Sequence, residues 1–379
     1  MTICISHESA LEFWRAAEAD VAEGVLNKTS SAAQPKTPLG AEPNKTDLPP
    51  SAASAASAAK AASAAKAASA ASAASAAKAA SAASCLAVQR GRRRFVALAP
   101  DVAPTDGEIE SIKAFGFTLP VHLDVYTKSA RRQIKDVCCH VCGNLPTRHG
   151  SYLCLGAGVY VSSPEMLFMQ MAEKLRLVAL VELGYELCGS YGMSVKGALS
   201  TQERLVKFCE AMRGKKGNGR KGHRMAMRAL RFVVNGSASP METKLALLLC
   251  LPHMLGGYAL PLPVLNHRIG LTKSARMTSD KSYFKCDLFW PGKSLAVEYD
   301  SDTFHTGSSR IAADSRRRNQ ILALGITVIT VTKQQIYNAD EFKKTVHQIC
   351  CSLNRRLQYN PSIFPAKLAS LRRELLIKS

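Results

Sequence analysis

FKCDLFWPGKSLAVEYD, residues 284–300, decides the reading of the second half of the chain. Apolar residues alternate with other residues on both sides of Gly292–Lys293, the pattern of two strands joined by a tight turn. Glycine as the first residue of a two-residue loop predicts a type II′ hairpin. Asp287 lies five positions before Gly292 and Glu298 five after Lys293. The two carboxylates are therefore expected to face each other with Cβ atoms about 5 Å apart. Period-two alternation adds Asp300 to the face of Glu298 and sends Leu295, Val297 and Tyr299 to the other. Opposed carboxylates destabilise a hairpin unless something positive answers them. Solvation at a sheet edge, neutralisation by Lys285 or by the arginines of RIAADSRRRN (310–319), and a bound cation are the open answers. Mg²⁺ or Mn²⁺ suits the last, because such ions take oxygen ligands and need only one or two carboxylates.

Working outward, the expected element order is a helix at 240–251, strands at 284–290 and 294–300, a helix at 309–324, a strand at 326–332 and a helix at 339–357. The apolar run LALLLCLPHMLGGYALPLPVL (245–265) is long enough to cross a bilayer, but its prolines and glycines would leave backbone groups unsatisfied in lipid. It reads as a buried helix followed by a loop, with no membrane partner. Ser239-Pro240-Met241-Glu242 fits a capping box with proline at the first helical position.

The ordered set SPMETKLALLL, CDLFWPGKSLAVEYDSDTFH and DSRRRNQILALGITVITVT resembles the PD-(D/E)XK nuclease superfamily over about 237–357. Within it the closer similarity is to bacterial domains related to the very-short-patch-repair (Vsr) endonucleases. The resemblance implies a restriction-endonuclease-like mixed sheet flanked by helices and a metal-dependent DNA endonuclease. Asp287 and Glu298 would be its metal ligands, with Glu242 of the first helix beside them. His305 would orient or deprotonate the attacking water. Asp300 stands where the wider superfamily has lysine, and Ser301 follows it where the closer branch has glycine. Asp314 and Arg317 match a helix pair of the family and equally fit an i, i+3 salt bridge. The alternative is a DNA-binding or antitoxin-like regulator on the same fold without cleavage.

Charge points the same way. The chain has 379 residues and a net charge of +21. Residues 1–84 balance seven basic against seven acidic side chains, so 85–379 carry 43 basic and 22 acidic and the whole excess. That favours a polyanionic partner, and DNA is the expected one. A basic connector at 201–236 holds RGKKGNGRKGHR, whose Lys215, Lys216, Arg220, Lys221 and Arg224 are candidate phosphate contacts, as are Arg316, Arg317 and Arg318. A solubilising charged surface is the plainer reading of both runs.

Residues 86–200 are expected to form a mixed α/β domain, with strands in VHLDVYTKSA, VCCHVCGNLP and SYLCLGAGVYVSS. A helix pair follows, started by Ser162 three residues before Glu165. GVYVSSPEMLFMQMA (158–172) resembles the antitoxin-like modules of AbiEi-type abortive-infection proteins, which implies that this domain binds DNA or a protein partner. Cys139-x-x-Cys142 with His149 or Cys154 is a possible tetrahedral set. Its spacing is irregular, and cysteine replaces small apolar residues freely within strands, so zinc is not expected. Twelve scattered cysteines without a secretory pattern read as reduced thiols in the cytoplasm. Residues 1–26 are expected to hold one short amphipathic helix. Residues 27–85, ending in a Ser/Lys-Ala-Ala triplet repeat, read as a disordered or partly helical linker, about 50 Å long over 51–84 if helical.

Overall fold

The computed structural model describes residues 3–15, 95–96, 105–113, 117–142, 150–156, 158–191, 197–213, 222–270, 283–300 and 320–377. The Ala/Ser-rich segment expected to be a linker lies outside them. The chain is mixed α/β and forms two compact units, the first running to Gln170 and the second starting at Met171. Among the described residues no helix is long and apolar enough to cross a membrane.

The first unit is a six-stranded mixed sheet in the order β2-β5-β6-β1-β3-β4. Its strands are β1 (Ile3–Ile5), β2 (Phe95–Val96), β3 (Val121–Val125), β4 (Val137–Val141), β5 (Tyr152–Gly156) and β6 (Val159–Ser162). The N-terminus was expected to contribute a helix alone. It opens instead with β1, because Ile3, Cys4 and Ile5 form an apolar, partly β-branched run that the sheet buries on both sides. β1 pairs in parallel with β6 and antiparallel with β3. Helix α1 (7–15) follows. Its Phe13 and Trp14 are almost fully buried, and the Trp14 indole donates to the Ser162 carbonyl at 2.9 Å. Burial of side chains this size contributes about 2–3 kcal/mol each. Helix α2 (Pro164–Met171) is started by Ser163, whose Oγ accepts from Met166 N. The expected Ser162 is one residue too early, because it ends β6.

The second unit begins with helix α3 (Leu177–Cys188), followed by α4 (Gln202–Ala211) and α5 (His223–Leu230). Both later helices pack as a hairpin, with α5 also against α3. Gln202 N donates to Asn235 Oδ1 at 2.7 Å, closing the pair. The expected connector is thus two structured helices around 214–221, and packing places α3 here rather than in the first unit. Helix α6 (Pro240–Cys250) is buried on all sides from Glu242 onward, which explains its lack of an amphipathic period. The chain then turns at Gly256 and Gly257. Gly256 is left-handed (φ 92°), and a Cβ there would meet the Lys367 carbonyl of helix α9 (Phe364–Leu376).

The second sheet runs β10-β9-β8-β7. Its strands are β7 (Val264–Gly270), β8 (Tyr283–Trp290), β9 (Leu295–Asp300) and β10 (Thr327–Thr332). The first three are antiparallel neighbours, and β9 pairs in parallel with β10. A parallel pair requires a crossover between its strands. Phe284, Cys286, Phe289, Ala296, Ile321 and Ile326 pack as one cluster. Helices α7 (Lys333–Tyr337) and α8 (Ala339–Ser352) follow. β7 replaces part of the expected loop after α6.

The turn of the hairpin differs from expectation. Pro291–Lys293 make a single 3₁₀ turn, closed by Ser294 N donating to the Pro291 carbonyl at 3.2 Å, and Ser294 is left-handed (φ 45°). Proline pre-sets the φ of such a turn, so Gly292 is not called on for a positive φ. The four-residue loop 291–294 has the same centre as the expected two-residue loop. The register therefore survives: Trp290 faces Leu295, Phe289 faces Ala296 and Leu288 faces Val297.

Candidate active site

The β8–β9 pairing ends at Leu288 and Val297, and Asp287 and Glu298 are the next residue along on each strand. There the Asp287 side chain enters the ladder, and its Oδ2 accepts from Tyr299 N at 2.9 Å. On the other side of β8, Leu265 faces Leu288 and His267 faces Cys286, which sets Asn266 across from Asp287. On the far side of β9, Glu298 faces Thr330. Asn266, Asp287, Glu298 and Thr330 thus form one row across all four strands. Asp300, paired with Thr332, sits two positions along from Glu298, and Lys285 two positions before Asp287.

Glu242 joins this row from α6. Ser239 Oγ accepts from Glu242 N at 3.1 Å, half of the expected capping box. The Glu242 carboxylate accepts from Ala238 N at 2.9 Å and from the Asn266 side-chain amide. It therefore holds its helix start and reaches β7 at once. Asn266 takes a left-handed conformation (φ 49°) and also donates to the Gly236 carbonyl at 2.9 Å. Burial pushes the Glu242 carboxyl above its usual range. The Ala238 N–H pulls it down, and the Asp287 charge pushes it up again. The last influence shows the two acids acting on one another. Glu242 is buried, while Asp287, Glu298 and Asp300 are half-buried.

The sequence reading names Asp287, Glu298, Asp300 and Glu242; the structure puts Asp287 and Glu298 on adjacent strands just past their last paired positions, and Glu242 bonds to Asn266 of β7. The sequence reading misses Asn266, because β7 was read as loop; the alternation in VLNHRIG was the available signal. His305, Asp314, Arg316, Arg317 and Arg318 lie outside the described residues, as do Lys215, Lys216, Arg220 and Lys221. Arg224 is described: it is exposed on α5, one turn from exposed Arg228.

Among the described residues, the possible Cys139–Cys142 set is not assembled. Cys139 packs on Val125 and Ala130, and the Cys142 thiol donates to the Val125 carbonyl at 3.2 Å. Cys154 is exposed, and His149 lies outside the described residues. The opposite face of β4 carries Cys138 and His140, next to His122 of β3, a grouping with metal-ligand chemistry that was not foreseen.

No family model, curated protein or solved structure matches this chain.

Proposed function

We propose that the second unit is a metal-dependent endonuclease domain of the PD-(D/E)XK type, related to the Vsr enzymes, acting on DNA. The observation that supports it most is the row Asn266–Asp287–Glu298 with Glu242 attached, at the point where one antiparallel hairpin meets a parallel strand. The donors are carboxylate oxygens, which suit Mg²⁺ or Mn²⁺ rather than a softer ion. Asp287 and Glu298 would hold the ion. When bound, it supplies an activated water and charge stabilisation for a leaving phosphate oxygen. Tyr299 N–H fixes one oxygen of Asp287 at 2.9 Å. Asn266 fixes Glu242 behind them, so the set is positioned before any ligand arrives. The exposed Arg224 and Arg228 are suited to phosphate contact, which steers DNA without reading its sequence.

The alternative reading is a DNA-binding protein that keeps the row as scaffold. The bonds from Ala238, Asn266 and Tyr299 favour it, since they already satisfy part of the acid set. Supercoiled plasmid incubated with the full chain and Mg²⁺ or Mn²⁺ separates the two. Metal-dependent nicking, lost in Asp287→Ala and Glu298→Ala while salt-sensitive DNA binding persists, is the expected result. Binding without nicking by the unsubstituted protein selects the scaffold reading.

A further inference from the structure

The strand register of the first unit gathers a second set of donors. β3 and β4 pair in parallel with His122 opposite Cys138 and Asp124 opposite His140. Period two then puts Cys138 and His140 on one face of β4, beside His122. One ligand atom from each of the three lies within 4.8 Å of the other two. His122 Nδ1 and His140 Nε2 are 2.8 Å apart, with rings stacked at 11°. Glu8 Oε2, from the helical stretch after β1, is 3.1 Å from the same Nδ1. His122 Nδ1 thus meets a second ring nitrogen and a carboxylate oxygen, contacts that an N–H proton or a metal ion can bridge.

We propose that His122, Cys138 and His140 bind a transition-metal ion of the Zn²⁺ class, with Glu8 beside His122 as its outer partner and water completing the tetrahedron. The chemistry of the set chooses metal over proton. A shared proton would need only the imidazoles and the carboxylate, whereas a thiol beside them adds a soft ligand that zinc prefers. Zinc–nitrogen bonds of about 2.0–2.1 Å at a tetrahedral angle separate two nitrogens by roughly 3.3 Å. The rings need to part by only about half an ångström to admit the ion.

The surroundings are those of a held ligand set. His140 stacks at 3.8 Å on buried His7. His7 is fixed in turn: its N–H donates to Gln170 Oε1 at 3.2 Å, and its Nδ1 stands 3.8 Å from Asp124 Oδ1. Asp124 also accepts from the Tyr152 hydroxyl at 2.8 Å and from the Gln170 amide. The stack on this fixed ring limits how the His140 imidazole can tilt. β4 is the edge strand, so the ion would clamp it to β3 and β1, much as a staple closes a small sheet.

Cobalt titration of the reduced, metal-free full chain tests this, run in the unsubstituted protein and in Asp287→Ala to silence the other acid set. The expected result in both is one equivalent of Co²⁺ giving four-coordinate visible bands and a thiolate-to-cobalt charge-transfer band. Cys138→Ser loses the charge-transfer band, His140→Ala loses saturable binding, and Glu8→Gln weakens binding about tenfold. A charge-transfer band that survives Cys138→Ser overturns the assignment. X-ray absorption of the unsubstituted zinc-loaded chain needs no variant to fold. One sulfur and three nitrogen or oxygen neighbours are expected, and any other sulfur count, or no bound zinc, overturns it.

Discussion

The two units each concentrate ligand-type side chains, but with opposite chemistry. In the second unit Asp287, Glu298 and Glu242 offer hard carboxylate oxygens. In the first, His122, His140 and Cys138 offer nitrogen and sulfur. Hard donors on a half-buried sheet suit an ion that keeps waters and exchanges substrate phosphate. Soft donors packed at a strand edge suit an ion that stays and holds structure. On the two proposals, the two units would take different metals for different jobs, sorted by ligand type rather than by affinity.

The sharpest way to break that comparison is to exchange the lesions. Asp287→Ala is expected to lower Mg²⁺-dependent nicking roughly a thousandfold, the scale of removing a group that acts on the transition state. It should leave the cobalt–thiolate band intact. Cys138→Ser is expected to remove the band and leave nicking within about twofold once DNA binding is matched. Plasmid nicking and cobalt spectra on the same two preparations decide it. Loss of both readouts in either variant would mean that the sites are not independent.

The acid set was largely visible in advance, and the nitrogen–sulfur set was not, for a physical reason. Asp287 and Glu298 are joined by one hairpin, so alternation and a turn fix their opposition locally. Even a mistaken turn type left the register intact, because both loops share a centre. Asn266 was lost because its strand follows a run of prolines and glycines that reads as loop. Glu8, His122 and Cys138 are brought together only by pairing β1 with β3 and β3 with β4. Nothing in a local window encodes which strand becomes a neighbour. The same limit applies to the division at Met171: α3 is apolar enough to join either unit, and tertiary packing alone assigns it.

A further acid, Glu182, sharpens the contrast, because the protein's own Lys244 acts on it. Burial pushes the Glu182 carboxyl up to about 7, with Lys244 pulling it down and Glu374 and Glu186 pushing it further up. The folded value lies above the unfolded one, near 4.5. The folded chain therefore holds a proton that the unfolded chain has released, and stability present below about pH 4.5 is lost as the pH rises toward 7. Glu182→Gln stays neutral throughout. It is expected to match the unsubstituted protein at pH 4.5 and to exceed it at pH 8 by about 1 kcal/mol, roughly 3 °C in melting temperature. Equal melting curves at pH 8 would show that Lys244 already compensates the buried charge.

The smallest expected effect lies in the hairpin that carries the acid row, and it separates two turns that give the same register. In a type II′ turn Gly292 would need a positive φ, and alanine there would be strained by about 1 kcal/mol or more. In the 3₁₀ turn observed, Gly292 has an ordinary φ, and a Cβ would meet nothing within 4 Å. Ser294 takes the left-handed position instead. Gly292→Ala is then expected to be neutral or to stabilise by up to about 0.5 kcal/mol, through lost freedom of the unfolded chain. Ser294→Gly should be neutral or slightly stabilising as well, because glycine enters the left-handed region without a Cβ penalty. Chemical denaturation of both variants is sufficient. A costly Gly292→Ala would restore the two-residue turn while leaving Asp287 opposite Glu298, so the acid row does not depend on the answer, and only the shape of the loop beyond it does.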